Sequence, residues 1–266
     1  ADLKWTLRGP HNVGGRTRGV VIDKMDPNTI IGGGISGGIW RSEDGGQTWK
    51  KMTKHQQLHS ISSITQDPRD GKTNIWYATT GELIGNSAGI RGAPYRGDGI
   101  YKSIDNGENW QKVNNGISGE HVSSMFIDEN DNMYIYTTYS AQTDGMYYSF
   151  DNAESWVGMP IPDYYVVDIV TQDDIIVIID GYNNIQLTED LGNTWHISNE
   201  GLNDNSLYSL HLVQNNSIYT GGRYLHKSDG FINECIDLSG LDFGACAMAL
   251  GIGYVNGECS YVSGCG

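Results

Sequence analysis

Short apolar runs, each bounded by glycine-rich polar segments, cover most of this chain. The runs at 17–23, 29–34, 61–66 and 122–127 are rich in β-branched residues and too short for helices, which predicts β-strands. Turn sequences such as Asp26-Pro27-Asn28 separate consecutive runs and predict antiparallel hairpins. Several runs are nearly continuous in apolar residues, a pattern typical of strands buried on both faces. The sequence therefore predicts an all-β fold.

One turn sequence recurs along the chain and indicates a repeat architecture. Its pattern is Ser/Thr-x-Asp-x-Gly-x-Thr/Ser/Asn-Trp, with copies at 42–49, 103–110, 149–156 and 188–195. Ala153 replaces the Gly of the third copy, and a fifth copy at 228–230 lacks its Trp. The Asp residues are spaced by 61, 46, 39 and 39 residues, and a period near 40 predicts stacked supersecondary units. The repeated positions are Asp44, Trp49, Asp105, Trp110, Asp151, Trp156, Asp190, Trp195 and Asp229.

We interpret these repeated residues as structural. An Asp in a tight turn accepts hydrogen bonds from the backbone N–H groups of that turn, and the Gly permits a positive φ. The Trp that follows begins the outgoing strand, where its large surface can pack against a neighbouring sheet. This favours turn-stabilising aspartates over catalytic acids or metal ligands.

The repeated turn resembles the Asp-box (BNR) repeat of sialidase-like, sortilin-like and xyloglucanase-like β-propellers. The resemblance covers residues 1–233 and implies five four-stranded blades. The fifth blade lacks an outgoing strand, so we expect Leu3 to Leu7 to close the ring, with Trp5 replacing the absent Trp. The alternative is that these are five blades of a larger propeller. Because the Asp-box occurs in enzymes, receptors and assembly factors alike, it does not define an activity.

Charge and hydropathy narrow the choice of partners. The net charge is −15, from 32 acidic and 17 basic residues, which opposes binding to nucleic acid or to an anionic membrane. No apolar stretch approaches the roughly 18 residues of a membrane span. No phosphate-binding loop or metal-binding helix motif is present, so we predict neither a cofactor nor a metal.

The last 33 residues form a separate predicted module, 234–266. It holds all four cysteines, Cys235, Cys246, Cys259 and Cys265, which predicts two disulfides and a secreted or cell-surface location. Zinc is the alternative, although the cysteine spacing lacks the close pairs that zinc sites use. The pairing of the cysteines stays open among three arrangements. The module resembles short cysteine modules near the C-termini of secreted bacterial proteins.

Two segments depart from the repeat and hold the candidate ligand-binding residues. The insertion at 82–97 accounts for the long first spacing, and long loops on a rigid scaffold often bind ligands. With the neighbouring Asp98 it suits a sugar or an anionic group; the alternative is a structural loop. The segment 11–18 leads to the predicted central funnel, where its arginines face a ligand or pair with a carboxylate of blade two. The candidates are Arg16, Arg18, Glu82, Arg91, Tyr95, Arg96 and Asp98.

No catalytic residue is assigned from the sequence. Xyloglucanases resemble the stretch 32–41, but Ile35 occupies the position of their catalytic Asp. Those enzymes also use two larger propellers with a cleft between them. The leading hypothesis is therefore a non-enzymatic secreted propeller for binding or adhesion, with a glycan, a surface protein or copies of itself as partner. The alternative is a glycoside hydrolase acting on an extracellular polysaccharide.

Overall fold

In a computed structural model of the chain, the described residues are 4–9, 16–57, 59–82, 95–117, 121–128, 130–137, 145–162, 166–172, 174–203, 206–213, 217–228, 236–237, 247–255 and 258–264. For residue 137 and for the residues beyond 235, only the backbone is described. These residues form β-strands and turns. They include no apolar helix of membrane-spanning length.

The strands form five consecutive antiparallel sheets, which we call blades one to five. Blade one contains β1 (Thr17–Ile22), β2 (Ile30–Gly34), β3 (Gly38–Ser42) and β4 (Lys50–Lys51). Blade two contains β5 (Ile61–Gln66), β6 (Trp76–Thr80), β7 (Ile100–Ser103) and β8 (Gln111–Lys112). Blade three contains β9 (Val122–Ile127), β10 (Met133–Thr137), β11 (Met146–Ser149) and β12 (Val157–Met159). Blade four contains β13 (Val166–Gln172), β14 (Ile175–Asp180), β15 (Ile185–Thr188) and β16 (His196–Ile197), and blade five contains β17 (Ser209–Leu212), β18 (Ile218–Gly221) and β19 (Leu225–Lys227).

Each blade is a meander whose strands pair in chain order. The first strands of neighbouring blades pack together, as β1 does with β5 and β5 with β9, so they lie innermost. The pairing of the first two strands shifts register near the start of the first strand in blades one to four. Such bulges bend a strand and re-aim its side chains, and here all four lie at the same end of their blades. The all-β, propeller-type fold predicted from the sequence is confirmed.

The hydrophobic core lies in the seams between blades. Each of the first three seams contains the Trp that follows the repeated turn of the later blade. Trp110 lies between blades one and two, Trp156 between two and three, and Trp195 between three and four. Strands fill these seams because their apolar residues point both ways, and all six residues of β14 are buried.

The predicted closure by the N-terminal strand is not seen. Residues 4–9 form no strand, and Trp5 is 87 % exposed. A separate sheet contains β20 (Ile236–Asp237), β21 (Ala247–Val255) and β22 (Glu258–Gly264). The predicted disulfides involve cysteines whose side chains are not described, so they stay a prediction, as does the division at residue 233.

Candidate functional site

The strand directions divide the propeller into two faces. On one face lie the turns between the first and second strands and between the third and fourth strands. The repeated aspartate turns are of the second kind, so we call this the turn face. On the opposite face the first strands begin, the second strands end and the insertion leaves blade two. We call it the carboxylate face because Glu82 and Asp168 lie there.

The turn face is held by the same hydrogen bonds in four blades. In blade one, Gly46 N donates to Ser42 Oγ at 2.8 Å, and Thr48 N donates to Asp44 Oδ1 at 2.8 Å. The corresponding donors in the other three blades are Gly107, Asn109, Ala153, Ser155, Gly192 and Thr194. These carboxylates are occupied by their own turns, which leaves them unsuited to chemistry on a ligand.

Glu82 anchors the carboxylate face in blade two. Arg16 Nη1 and Nη2 donate to Glu82 Oε1 and Oε2 at 3.0 and 2.6 Å, and Arg18 also donates to Oε1. The Glu82 side chain is 6 % exposed, whereas the two arginines are 36 % and 42 % exposed. Burial favours the neutral acid, but the hydrogen bonds from the arginines outweigh it and lower the pKa of Glu82. Glu82 is therefore ionised at neutral pH.

The apolar residue Ile35 lies next to Arg16, one of the two arginines that hold Glu82. Its side chain is 2 % exposed, and its backbone N–H donates to Arg16 O at 3.0 Å. Ile35 is the position at which the resemblance to xyloglucanases expects an Asp. Arg16 therefore contacts Ile35 through its backbone and Glu82 through its side chain.

The other sequence candidates separate into two groups. Tyr95 pairs with Glu82 as an isolated bridge, with backbone hydrogen bonds of 2.8 and 2.9 Å. It therefore lies next to the residue that Arg16 and Arg18 hold. Asp98 is held instead by its own blade, since Lys112 Nζ and the Tyr101 hydroxyl donate to it at 2.5 and 2.7 Å. Arg96 follows Tyr95 in the described part of the chain, whereas Arg91 lies outside the described residues.

Asp168 is a functional candidate that the sequence analysis missed. It lies beside the bulge at the start of β13, and its carboxylate accepts the backbone N–H groups of Ile169 and Leu210 at 3.0 and 2.8 Å. Burial raises the pKa of Asp168, and the two hydrogen bonds offset this only in part. Burial, with a further contribution from the charge of Asp168, raises the pKa of Tyr136 to about 12. An isolated Asp in the apolar run Val-Val-Asp-Ile-Val was the available signal.

Glu82 and Asp168 are two carboxyl groups whose pKa values shift in opposite directions. Both lie on the carboxylate face, one in blade two and one in blade four, with blade three between them. Opposite pKa shifts of this kind are typical of carboxyl groups that take acid and base roles. Among the residues whose side chains are described, no cluster of three or more His, Cys, Asp or Glu is arranged to hold a metal ion.

Comparison with known proteins identifies carbohydrate-active relatives. No family model matches the chain. A xyloglucanase from a Paenibacillus species is 29% identical over 155 residues, which is 52% of this chain but 15% of that enzyme. The similarity therefore spans a small part of the relative's length.

Solved structures support the fold. An ancestral GH74 enzyme superposes with a TM-score of 0.61 at 19% identity, covering 84% of this chain and 30% of the enzyme. The GH74 enzyme of Niastella koreensis gives 0.59 at 15% identity, covering 82% and 37%. A YCF48 protein bound to a D1 peptide gives 0.54 at 14% identity, covering 82% and 65%. At these identities, the likeness establishes a β-propeller fold.

The hypothesis of a non-enzymatic binding or adhesion protein is wrong. The sequence similarity to a xyloglucanase favours the alternative, a glycoside hydrolase. The hypothesis relied on Ile35, where an acidic residue is missing. That inference does not hold because the first strands of the described blades begin on the same face, so acidic residues of other blades, such as Glu82 and Asp168, also lie on that face.

Proposed function

We propose that the chain is part of a glycoside hydrolase that cleaves an extracellular polysaccharide of the xyloglucan class. The observation that carries this proposal is the similarity of 155 residues to a xyloglucanase. Because the chain covers 15% of that enzyme, the activity belongs to the proposal and not to the comparison. The carboxylate face supplies the catalytic groups, since the carboxylates of the turn face are engaged within their own turns.

Asp168 is the proposed general acid. Its raised pKa keeps the carboxyl group protonated to a higher pH than an exposed Asp, as protonation of a leaving oxygen requires. Tyr136 lies close enough for the charge of Asp168 to affect its pKa, and its hydroxyl is 3.4 Å from Val167 O. Tyr136 thus forms part of the wall beside the acid.

Glu82 is the proposed second carboxylate. Arg16 and Arg18 hold it ionised and fix its orientation. In the proposed reaction the Glu82 carboxylate accepts a proton from the attacking water while Asp168 protonates the leaving oxygen.

Several finer features belong to the same proposal. The repeated turns are Asp-boxes of the BNR type, the five blades form one ring, and the protein works outside the cytoplasm. The 234–266 module is held by disulfides among its four cysteines. An uncharged polysaccharide is the expected substrate because a net charge of −15 repels polyanions.

The test is a panel of polysaccharides assayed for release of reducing ends. Xyloglucan should be cleaved, an unsubstituted β-glucan more slowly, and polygalacturonate not at all. A folded protein that releases no reducing ends from any uncharged β-glucan would contradict the proposal.

A further inference from the structure

Exposed aromatic side chains are unevenly divided between the two faces. In the described parts of the chain, the exposed aromatic residues of the carboxylate face are Tyr95, Tyr182, Tyr208 and Tyr224. On the turn face, Phe150 is exposed within its repeated turn. Tyr182 and Tyr224 lie between the second and third strands of blades four and five, and Tyr208 directly precedes β17. Three of the four tyrosines therefore belong to two neighbouring blades.

Hydrogen bonds join the segments that hold these three tyrosines. The side-chain oxygen of Asn183, next to Tyr182, accepts the N–H of Leu207, next to Tyr208, at 3.2 Å. Tyr208 N donates at 2.8 Å to the carbonyl oxygen of the last residue of β18, which opens the turn that holds Tyr224. The three segments thus follow one another across the face in the order Tyr182, Tyr208, Tyr224. We call these three residues the tyrosine row.

The tyrosine row lies beside Asp168. Leu210 N donates to the Asp168 carboxylate at 2.8 Å, and Leu210 follows Tyr208 by two residues at the start of β17. The turn that holds Tyr182 follows β14, whose Ile179 pairs with Asp168. Both blades that carry the row therefore also contact the proposed acid.

The outermost ring of the row is held in place but stays open to solvent. The guanidinium carbon of Arg223 lies 5.7 Å from the centroid of the Tyr224 ring. The His226 ring meets Tyr224 edge-on at 6.5 Å and is itself hydrogen-bonded to Asn203 at 3.0 Å. Because these contacts already order the ring, a ligand that packs on it loses little free energy to ordering. Arg223 also offers N–H donors beside the ring.

This combination suits a neutral sugar chain. A sugar ring has an apolar face of C–H groups and a rim of hydroxyl groups, and a tyrosine likewise combines an apolar ring with a hydroxyl. Successive sugar units pack on successive rings, while their hydroxyl groups accept hydrogen bonds from Arg223. A net charge of −15 disfavours an acidic polysaccharide at the same surface.

We propose that the tyrosine row binds consecutive units of a neutral polysaccharide beside Asp168. The identity of that polysaccharide, a β-glucan of the xyloglucan class, rests on the proposed function, whereas the position of the site rests on the exposed rings. The row holds the chain and takes no part in bond cleavage. Its loss should therefore raise Kd and KM more than it lowers kcat.

The test is affinity electrophoresis through gels that contain xyloglucan, which measures binding whether or not the chain is cleaved. Tyr182→Ala, Tyr208→Ala and Tyr224→Ala should each raise Kd roughly 3- to 10-fold. Because these side chains are 66 %, 68 % and 53 % exposed, the variants should keep the Tm of the parent. The matched control is Phe150→Ala, which removes a ring that is 57 % exposed on the turn face and should leave Kd unchanged.

A conservative variant separates packing from hydrogen bonding. Tyr208→Trp keeps a flat apolar ring and should retain most of the affinity that Tyr208→Ala loses. Parent-like Kd values in the three alanine variants, an equal loss in Phe150→Ala, or a parent that does not bind xyloglucan would overturn the inference.

Binding and hydrolysis distinguish this inference from the proposed function. Row-dependent binding without release of reducing ends would support the tyrosine row and contradict the proposed function. Hydrolysis of xyloglucan with KM unchanged in all three alanine variants would support the proposed function and overturn the tyrosine row.

Discussion

The turn face and the carboxylate face are built from the same repeat but follow different rules. On the turn face, four blades repeat one set of hydrogen bonds with almost the same distances. On the carboxylate face, the described groups differ between blades: Glu82 of blade two is bonded to Arg16 and Arg18 from the start of blade one, and blade four offers Asp168. The repeat therefore fixes the scaffold through one face and leaves the other free to vary.

This difference teaches where to look for function in a repeat protein. The carboxylates of the turn face have lowered pKa values because their own turns donate to them. These carboxylates are ionised and already accept hydrogen bonds from their own turns, so they stabilise the fold. Asp168 lies at a bulge, and burial raises its pKa. A buried acid whose hydrogen bonds only partly offset its burial destabilises a fold, and such groups are typical of functional sites.

The largest effect on stability should come from the turn face. In Gly107→Ala, the added methyl group would lie 2.2 Å from Cδ1 of Ile31. The Ile31 side chain is fully buried in the seam between blades one and two. With the strain of a φ of +81°, we expect a loss of about 2–4 kcal/mol in the free energy of unfolding, measured by urea denaturation.

The control for that substitution is Gly71→Ala. Gly71 has a similar φ of +76°, but an added methyl group meets nothing within 4 Å. Only the backbone strain remains, so the loss should be about 1 kcal/mol. Equal losses in the two variants would mean that the turn does not pack against the neighbouring blade, and the turn face would lose its role in holding the seams.

A smaller effect distinguishes the faces by pH. The pKa of Asp151 is lowered to about 2, first by the Ser155 hydroxyl, so its stabilisation is complete above the unfolded value of about 4 and is lost as the pH falls towards 2. The raised pKa of Asp168 has the opposite effect on stability. The folded state loses stability as the pH rises from the pKa of Asp168 in the unfolded chain through its pKa in the folded protein.

The two asparagine variants should therefore diverge as the pH rises from 2 to 7. Asp151→Asn should melt below the parent at pH 7, with the difference vanishing near pH 2. Asp168→Asn should melt no lower than the parent at pH 7 and should gain relative to it as the pH rises. Differences of the same sign at pH 7 would show that the two faces do not separate stability from function.

The sequence predicts the repeated part of the molecule well, for a physical reason. Each aspartate turn is local, since the bonds from Thr48 N to Asp44 and from Gly46 N to Ser42 lie within five residues of one another in sequence. The alternating runs also place each strand without knowledge of its neighbours. The fold class and the blades follow from such local rules.

The candidate site depends on contacts that local patterns do not contain. Glu82 and Arg16 are 66 residues apart, and Leu210 N reaches Asp168 across 42 residues. The site residues Arg16, Arg18, Glu82 and Tyr95 could be nominated because they lie in departures from the repeat. Asp168 lies inside a regular strand, where only its charge among apolar neighbours distinguishes it. The error about activity came from requiring a carboxylate at one aligned position, Ile35.

The most direct measurement compares two aspartates of one blade on opposite faces. Initial rates of xyloglucan hydrolysis should be measured for Asp168→Asn and for Asp190→Asn at a temperature where both are folded. If the carboxylate face performs the chemistry, Asp168→Asn should lower kcat by about 10²- to 10⁴-fold, as for loss of a general acid. Asp190→Asn should retain the kcat of the parent. Equal kcat values for Asp168→Asn and the parent would contradict the account.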